Sequence, residues 1–226
     1  MKHILFATSL LFLAGCSIDI EETHPIVEQI FLQEEASDGG IVCTLEGSYP
    51  HIKNLSSVQV EVNINAALDE IALNMKEAVR NCPATLSDII EPDENILDTT
   101  TASYDVKLLD DTMFSVVILS SHMLEGAAHP NNTIDTFVFD LTTGQPITLA
   151  EYFEDTPGYE DILEQAITQA LQREEINIDE AVRNLAHKFY ITEDSLVLVD
   201  LFDVHALKGF EVRIPRTDGA TQPATK

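Results

Sequence analysis

The chain has no tryptophan and few cations: 12 Lys and Arg stand against 39 Asp and Glu in 226 residues, a formal net charge of −27. The missing indole removes a common stacking surface for sugar rings. The shortage of cations excludes nucleic acid as a partner, because that binding begins with neutralised phosphates. An anionic lipid surface is repelled in the same way. After Leu13 no apolar run approaches the roughly 20 residues that a helix needs to cross a bilayer. There are only three Cys and no Cys-x-x-Cys, so dithiol redox catalysis and structural zinc lack their usual signature. Neither a Gly-x-Ser-x-Gly elbow nor a Gly-rich phosphate loop occurs. What is present, with nine Gly, nine Pro and 45% hydrophobic residues, is a chain able to build a core. Its acidity attracts cationic partners and speeds their encounter, although acidity also serves simply to keep a protein in solution.

Lys2 is followed by an apolar run from Ile4 to Leu13, which ends in Ala14-Gly15-Cys16. A cationic start, a short apolar stretch and small residues form the layout of a secretory leader. Leu13-Ala14-Gly15-Cys16 resembles the lipobox of bacterial lipoproteins. The resemblance implies cleavage before Cys16, acylation of that residue and a lipid anchor in the membrane. Ser17 implies sorting to the outer membrane, facing the periplasm, since Asp19 stands too far along to act as a retention signal. Residues 1–15 are therefore expected to be the leader and 16–25 a tether. Cys43 and Cys82 remain. In an oxidising compartment such a pair favours a disulfide; two free thiols or half of a metal site are the alternatives.

Ile26 to Gln33 and Ile41 to Glu46 read as strands around the turn signal Ser37-Asp38-Gly39-Gly40. Tyr49-Pro50-His51-Ile52 reads as irregular. Ile64, Leu68, Ile71, Met75, Val79 and Cys82 recur at helical spacing, and Pro83 is expected to stop that helix. Residues 84–100 are acidic and turn-rich, and read as a loop or an edge. Alternation predicts strands around Tyr104 to Leu108, Met113 to Leu119 and Thr133 to Leu141, with a short resumption from Pro146 to Leu149. A second helix follows from Tyr159 to Leu171, and a third is expected from Asp179 to His187. Lys188 to Thr192, Ser195 to Leu201 and Phe210 to Ile214 read as closing strands, and residues 216–226 as a frayed tail. The whole predicts an α+β fold, a mainly antiparallel sheet with two or three helices packed on it.

The most unusual segment is Gly126-Ala127-Ala128-His129-Pro130-Asn131, a small polar loop between two strands. Loops on a rigid sheet often carry function, so Gly126, His129, Pro130 and Asn131 form the candidate binding loop. Catalysis by His129 needs an orienting acid and a nucleophile or metal, and His122, seven residues earlier, matches no compact ligand pair. The plainer reading is a turn whose imidazole is satisfied by backbone. Asp93, Glu94 and Asp98 lack the glycine and final glutamate of an EF-hand and read as a solvated acidic loop. No catalytic residue, metal ligand or cofactor is assigned.

Gly126 to Asn131, Phe137-Val138-Phe139-Asp140-Leu141-Thr142-Thr143-Gly144, Ile147-Thr148-Leu149 and Tyr152-Phe153 together resemble one family. It is the extracytoplasmic domain of RsiV-type anti-sigma factors and PdaC-type cell-wall proteins. Phe189 to Thr192 and Phe210 to Pro215 match its closing strands. Tyr49 to Ile52 and Asn63-Ile64-Asn65 resemble its N-terminal companion region. The resemblance implies a PdaC-like region over 26–100 and an RsiV-like domain over 101–215. It implies a non-enzymatic binder of lysozyme or of peptidoglycan, since catalysis in the deacetylase members lies in a separate domain. Leu201 to Leu207 replaces a Tyr-rich stretch of the relatives, and Ala127 stands where a second Gly is common. The alternatives are a peptidoglycan hydrolase using His129 and nearby carboxylates, and a structural envelope lipoprotein without a soluble ligand.

Overall fold

The computed structural model describes residues 24–88, 95–154, 157–176, 188–202 and 209–216. The leader, Cys16 and most of the tether, the helix expected over 179–187, Asp93, Glu94, most of Leu201 to Leu207 and almost all of the tail lie outside these residues. The fold is α+β. A five-stranded sheet runs in the order β1-β2-β3-β4-β5 and a three-stranded antiparallel sheet in the order β6-β7-β8. Each described strand overlaps a segment expected to be one, but their division into two sheets was not expected.

β1 (Ile26–Asp38) and β2 (Ile41–Lys53) form a hairpin around Gly39 and Gly40, both at positive φ. β2 continues through the segment expected to be irregular. Its parallel pairing with β3 (Ile96–Leu109) ends at Gly47 opposite Ala102, so Pro50 lies where β2 has a free side and the missing N–H disrupts no ladder. Between these strands runs α1 (Val58–Ser87), capped by Ser57, whose hydroxyl accepts from the Val60 N–H. The expected stop at Pro83 is wrong by one turn. Pro83 and Leu86 are both buried against the sheet, and that packing outweighs the hydrogen bond proline cannot make. β3 likewise begins at Ile96, inside the stretch expected to be a loop or an edge, because residues 96–100 pair with β2 and residues 98–100 pair with β4 as well.

β4 (Met113–Leu124) is the centre of the molecule. Phe114, Val116 and Ile118 pack under Val60, Ile64 and Leu68 of α1. On the opposite face Val117 meets Tyr190, Val197 and Val199 of the small sheet, and the buried Ser115 hydroxyl accepts from the Ile191 N–H at 2.8 Å. β4 is thus buried on both faces from Phe114 to Ile118, within the continuous apolar run that predicts a buried strand. β5 (Asn131–Asp140) places Phe139 beside Phe114. The strand resumption expected from Pro146 to Leu149 is reduced to an isolated bridge of Pro146 with Phe139 and a hydrogen bond from the Ile147 N–H to the Val138 carbonyl, after which α2 (Leu149–Tyr152) begins. Thr148 and Glu151 cap that turn reciprocally, a Thr-x-x-Glu signature present in the sequence.

α3 (Tyr159–Arg173) buries Leu163, Ile167 and Leu171 against the small sheet, β6 (Lys188–Ile191), β7 (Ser195–Val199) and β8 (Val212–Pro215). Burial of Tyr190 pushes its hydroxyl pKa upward, and the hydrogen bond that hydroxyl donates to Glu211 adds to the effect. At the far edge of the large sheet, β1 pairs among the described residues with β2 alone, and Phe31 is 77% exposed. No described helix is long and apolar enough to cross a membrane.

Candidate functional site

Two places gather polar chemistry, and the alternation of β3 and β4 puts them on opposite faces of the large sheet. Thr101, Ser103, Leu119 and Ser121 point to the face that the small sheet covers further along. There they line a groove of about 360 Å³ with Asn132, Thr133 and Ile134 of β5, and with Asp200 and Gly209 from the small sheet's connections. Its floor is partly apolar, through Leu119 and Ile134. Its walls are hydroxyl and amide groups. Asp200 pairs with Lys188 at 3.4 Å, and the same ammonium reaches Asp135 at 3.3 Å and donates to the Ile134 carbonyl.

The candidate loop joins β4 to β5 at the end of this groove. Gly126 turns the chain at φ +85°. His129 is exposed, with Nδ1 3.2 Å from the Pro130 carbonyl. Asn131 opens β5 opposite His122. The loop residues expected to bind are therefore contiguous with Asn132 and Thr133 of the groove wall. The groove itself escapes sequence reading, since it needs β3, β4 and β5 side by side with β7 at its rim.

On the other face, Cys43 of β2 and Cys82 of α1 form a disulfide with Cα atoms 6.2 Å apart. Cys43 stands opposite Asp98 in the parallel ladder. Asp98, expected in a solvated loop, is instead 4% exposed because β3 extends through it. Its Oδ2 lies 2.7 Å from His122 Nε2 and 3.2 Å from Cys82 Sγ. A disulfide sulfur carries no proton, so the second approach is a contact and not a hydrogen bond. The signal that could have found this pairing is modest: Asp98 and Thr100 share one face of a strand, and His122 lies opposite Thr100.

Comparison with known proteins places this architecture. No family model matches the chain, and no curated protein matches it. Solved structures do. A member of the DUF3298 family from Bacteroides fragilis superposes with a TM-score of 0.61 at 14% identity, over 86% of this chain and 91% of that one. A DUF3298 family protein from Pseudomonas aeruginosa gives 0.54 at 13% identity, over 86% and 92%. At such identities the likeness is one of fold.

Proposed function

We propose that the chain is a non-enzymatic binding domain of the bacterial cell envelope. A lipid on Cys16 anchors it at the outer membrane, facing the periplasm, and its partner is a cationic protein of the lysozyme kind. The observation that carries this reading is the net charge of −27, which draws a cationic protein in by long-range attraction. The groove supports it with what a protein partner needs once it arrives: an apolar floor at Leu119 and Ile134 and hydroxyl and amide walls. Kinship with the RsiV and PdaC domains, proposed from the Gly126 to Asn131 loop and the strands around it, fits the same role.

A wall glycan or peptide is the alternative occupant. The hydrolase alternative, which uses His129 and nearby carboxylates, draws less support, because His129 is exposed and its Nδ1 lies 3.2 Å from the Pro130 carbonyl, as in the plainer turn reading. Calorimetric titration with lysozyme at low and at physiological salt tests the proposal. Binding that weakens with salt, and weakens further in Ser121→Arg, is expected. No heat of binding at either salt ends the lysozyme reading.

A further inference from the structure

The corner where β2, β3, β4 and the end of α1 meet gathers four side chains that are metal ligands by chemistry. Cys43 and Asp98 are partners in the parallel ladder, and His122 lies opposite Thr100 two residues along. All three project toward α1, from which Cys82 joins them. The ligand atoms of Cys43, Cys82 and Asp98 lie within 4.8 Å of one another, and His122 Nε2 is 2.7 Å from Asp98 Oδ2. Two further observations point to a ligand. Asp98 is 4% exposed, and its Oδ1 is buried with no hydrogen-bond partner. A small cavity of about 80 Å³ opens at the same place, lined by both Cys, Asp98 and His122. A buried carboxylate oxygen without a donor is unfavourable, and a bound cation relieves that.

We propose that reduction of the Cys43–Cys82 disulfide turns this corner into a site for a divalent cation of the zinc class, held by two thiolates, the Asp98 carboxylate and the His122 imidazole. In the oxidised chain each sulfur is bonded to the other and is a poor donor, leaving Asp98 and His122 alone. Reduction by a phosphine breaks the S–S bond. Phosphorus gives up two electrons and takes the oxygen of a water molecule, whose two protons go to the two sulfurs. Metal binding then expels one proton from each thiol. The resulting set of two sulfurs, one oxygen and one nitrogen suits a tetrahedral zinc-type ion. Metal affinity at this corner thereby depends on the redox state of the protein.

Cobalt(II) added to the full chain tests the proposal, with Cys16→Ser in place so that the third thiol cannot contribute. After phosphine reduction, a thiolate-to-cobalt charge-transfer absorption that saturates at one ion per chain is expected, and the oxidised chain shows none. His122→Ala and Asp98→Asn each weaken cobalt binding by about tenfold or more. His122 is 48% exposed and Asn is isosteric with Asp, so both variants keep the far-ultraviolet circular dichroism of the parent. The proposal fails if reduction yields no such absorption, whether or not the reduced chain stays folded. It also fails if the double variant binds cobalt as tightly as the parent, which would leave the thiols acting alone.

Discussion

Asn65 replaces a strand with a single side chain. Where β3 leaves β2, the peptide groups of Ile52 face α1, and the Asn65 amide meets them: Oδ1 accepts from the Ile52 N–H and Nδ2 donates to its carbonyl, both at 2.8 Å. Ile52 is fully buried, so Asn65→Ala leaves two backbone groups without partners. A loss of about 2–4 kcal/mol is expected, read as a lower urea midpoint at unchanged slope; a loss below about 0.5 kcal/mol would show that water replaces the amide. Tyr49 offers a pH test. Burial, then the hydrogen bond its hydroxyl donates to Asp69 at 2.7 Å, pushes its pKa from 10.0 up to about 12. The folded state holds the phenolic proton more tightly than the unfolded chain. This contribution is therefore fully present below pH 10 and is lost as the pH rises toward about 12. Tyr49→Phe should flatten that part of the alkaline stability curve, and an unchanged slope over this window would refute the assignment.

Among the elements, the parallel β2–β3 pair depends on a glycine. A Cβ on Gly47 would lie 2.0 Å from the carbonyl oxygen of Ala102, backbone that moves only if the strands part. Gly47→Ala should cost about 3 kcal/mol or more. Gly126→Ala is the control: it also stands at positive φ, +85° against +154° at Gly47, but a Cβ there meets nothing within 4 Å, so about 1 kcal/mol is expected. A comparison of melting temperatures separates the two, and equal shifts would mean that φ matters more than space. The elements legible from sequence were those with a local signature. The apolar stripe of α3 and the alternation of β5 need no knowledge of the rest of the chain. Pro83 was misread because its place inside α1 depends on a sheet surface formed by strands distant in sequence. Asp98 was misread for the same reason: it reads with the polar turn formers Asp93, Glu94 and Asn95 shortly before it, while its neighbours in space are a disulfide and a histidine. Cys43 and Cys82 could be proposed as a pair from compartment and count, but their joining of β2 to α1 beside Asp98 could not.

At the scale of the whole molecule, the charge of −27 sets a self-repulsion that salt relieves. The Debye length falls from about 30 Å to about 8 Å between 0.01 and 0.15 M salt, so the melting temperature should rise over that range. A fall would mean that ion pairs such as Arg80–Glu34 and Lys53–Glu28 outweigh the repulsion. The edge of β1, which pairs among the described residues with β2 alone, gives this acidity a second consequence. A long strand with an open side is a template on which another chain can grow, and Phe31 makes this one adhesive. Glu28 and Glu34 on this strand are matched by Lys53 and Arg80, but Glu35 and Asp38 stand on it too, so two copies approaching edge to edge bring those like charges together. The carboxylates act as gatekeepers against polymerisation. Glu35→Gln together with Asp38→Asn removes that barrier, so a rise in light scattering with protein concentration is expected in the double variant, and unchanged scattering would refute the role.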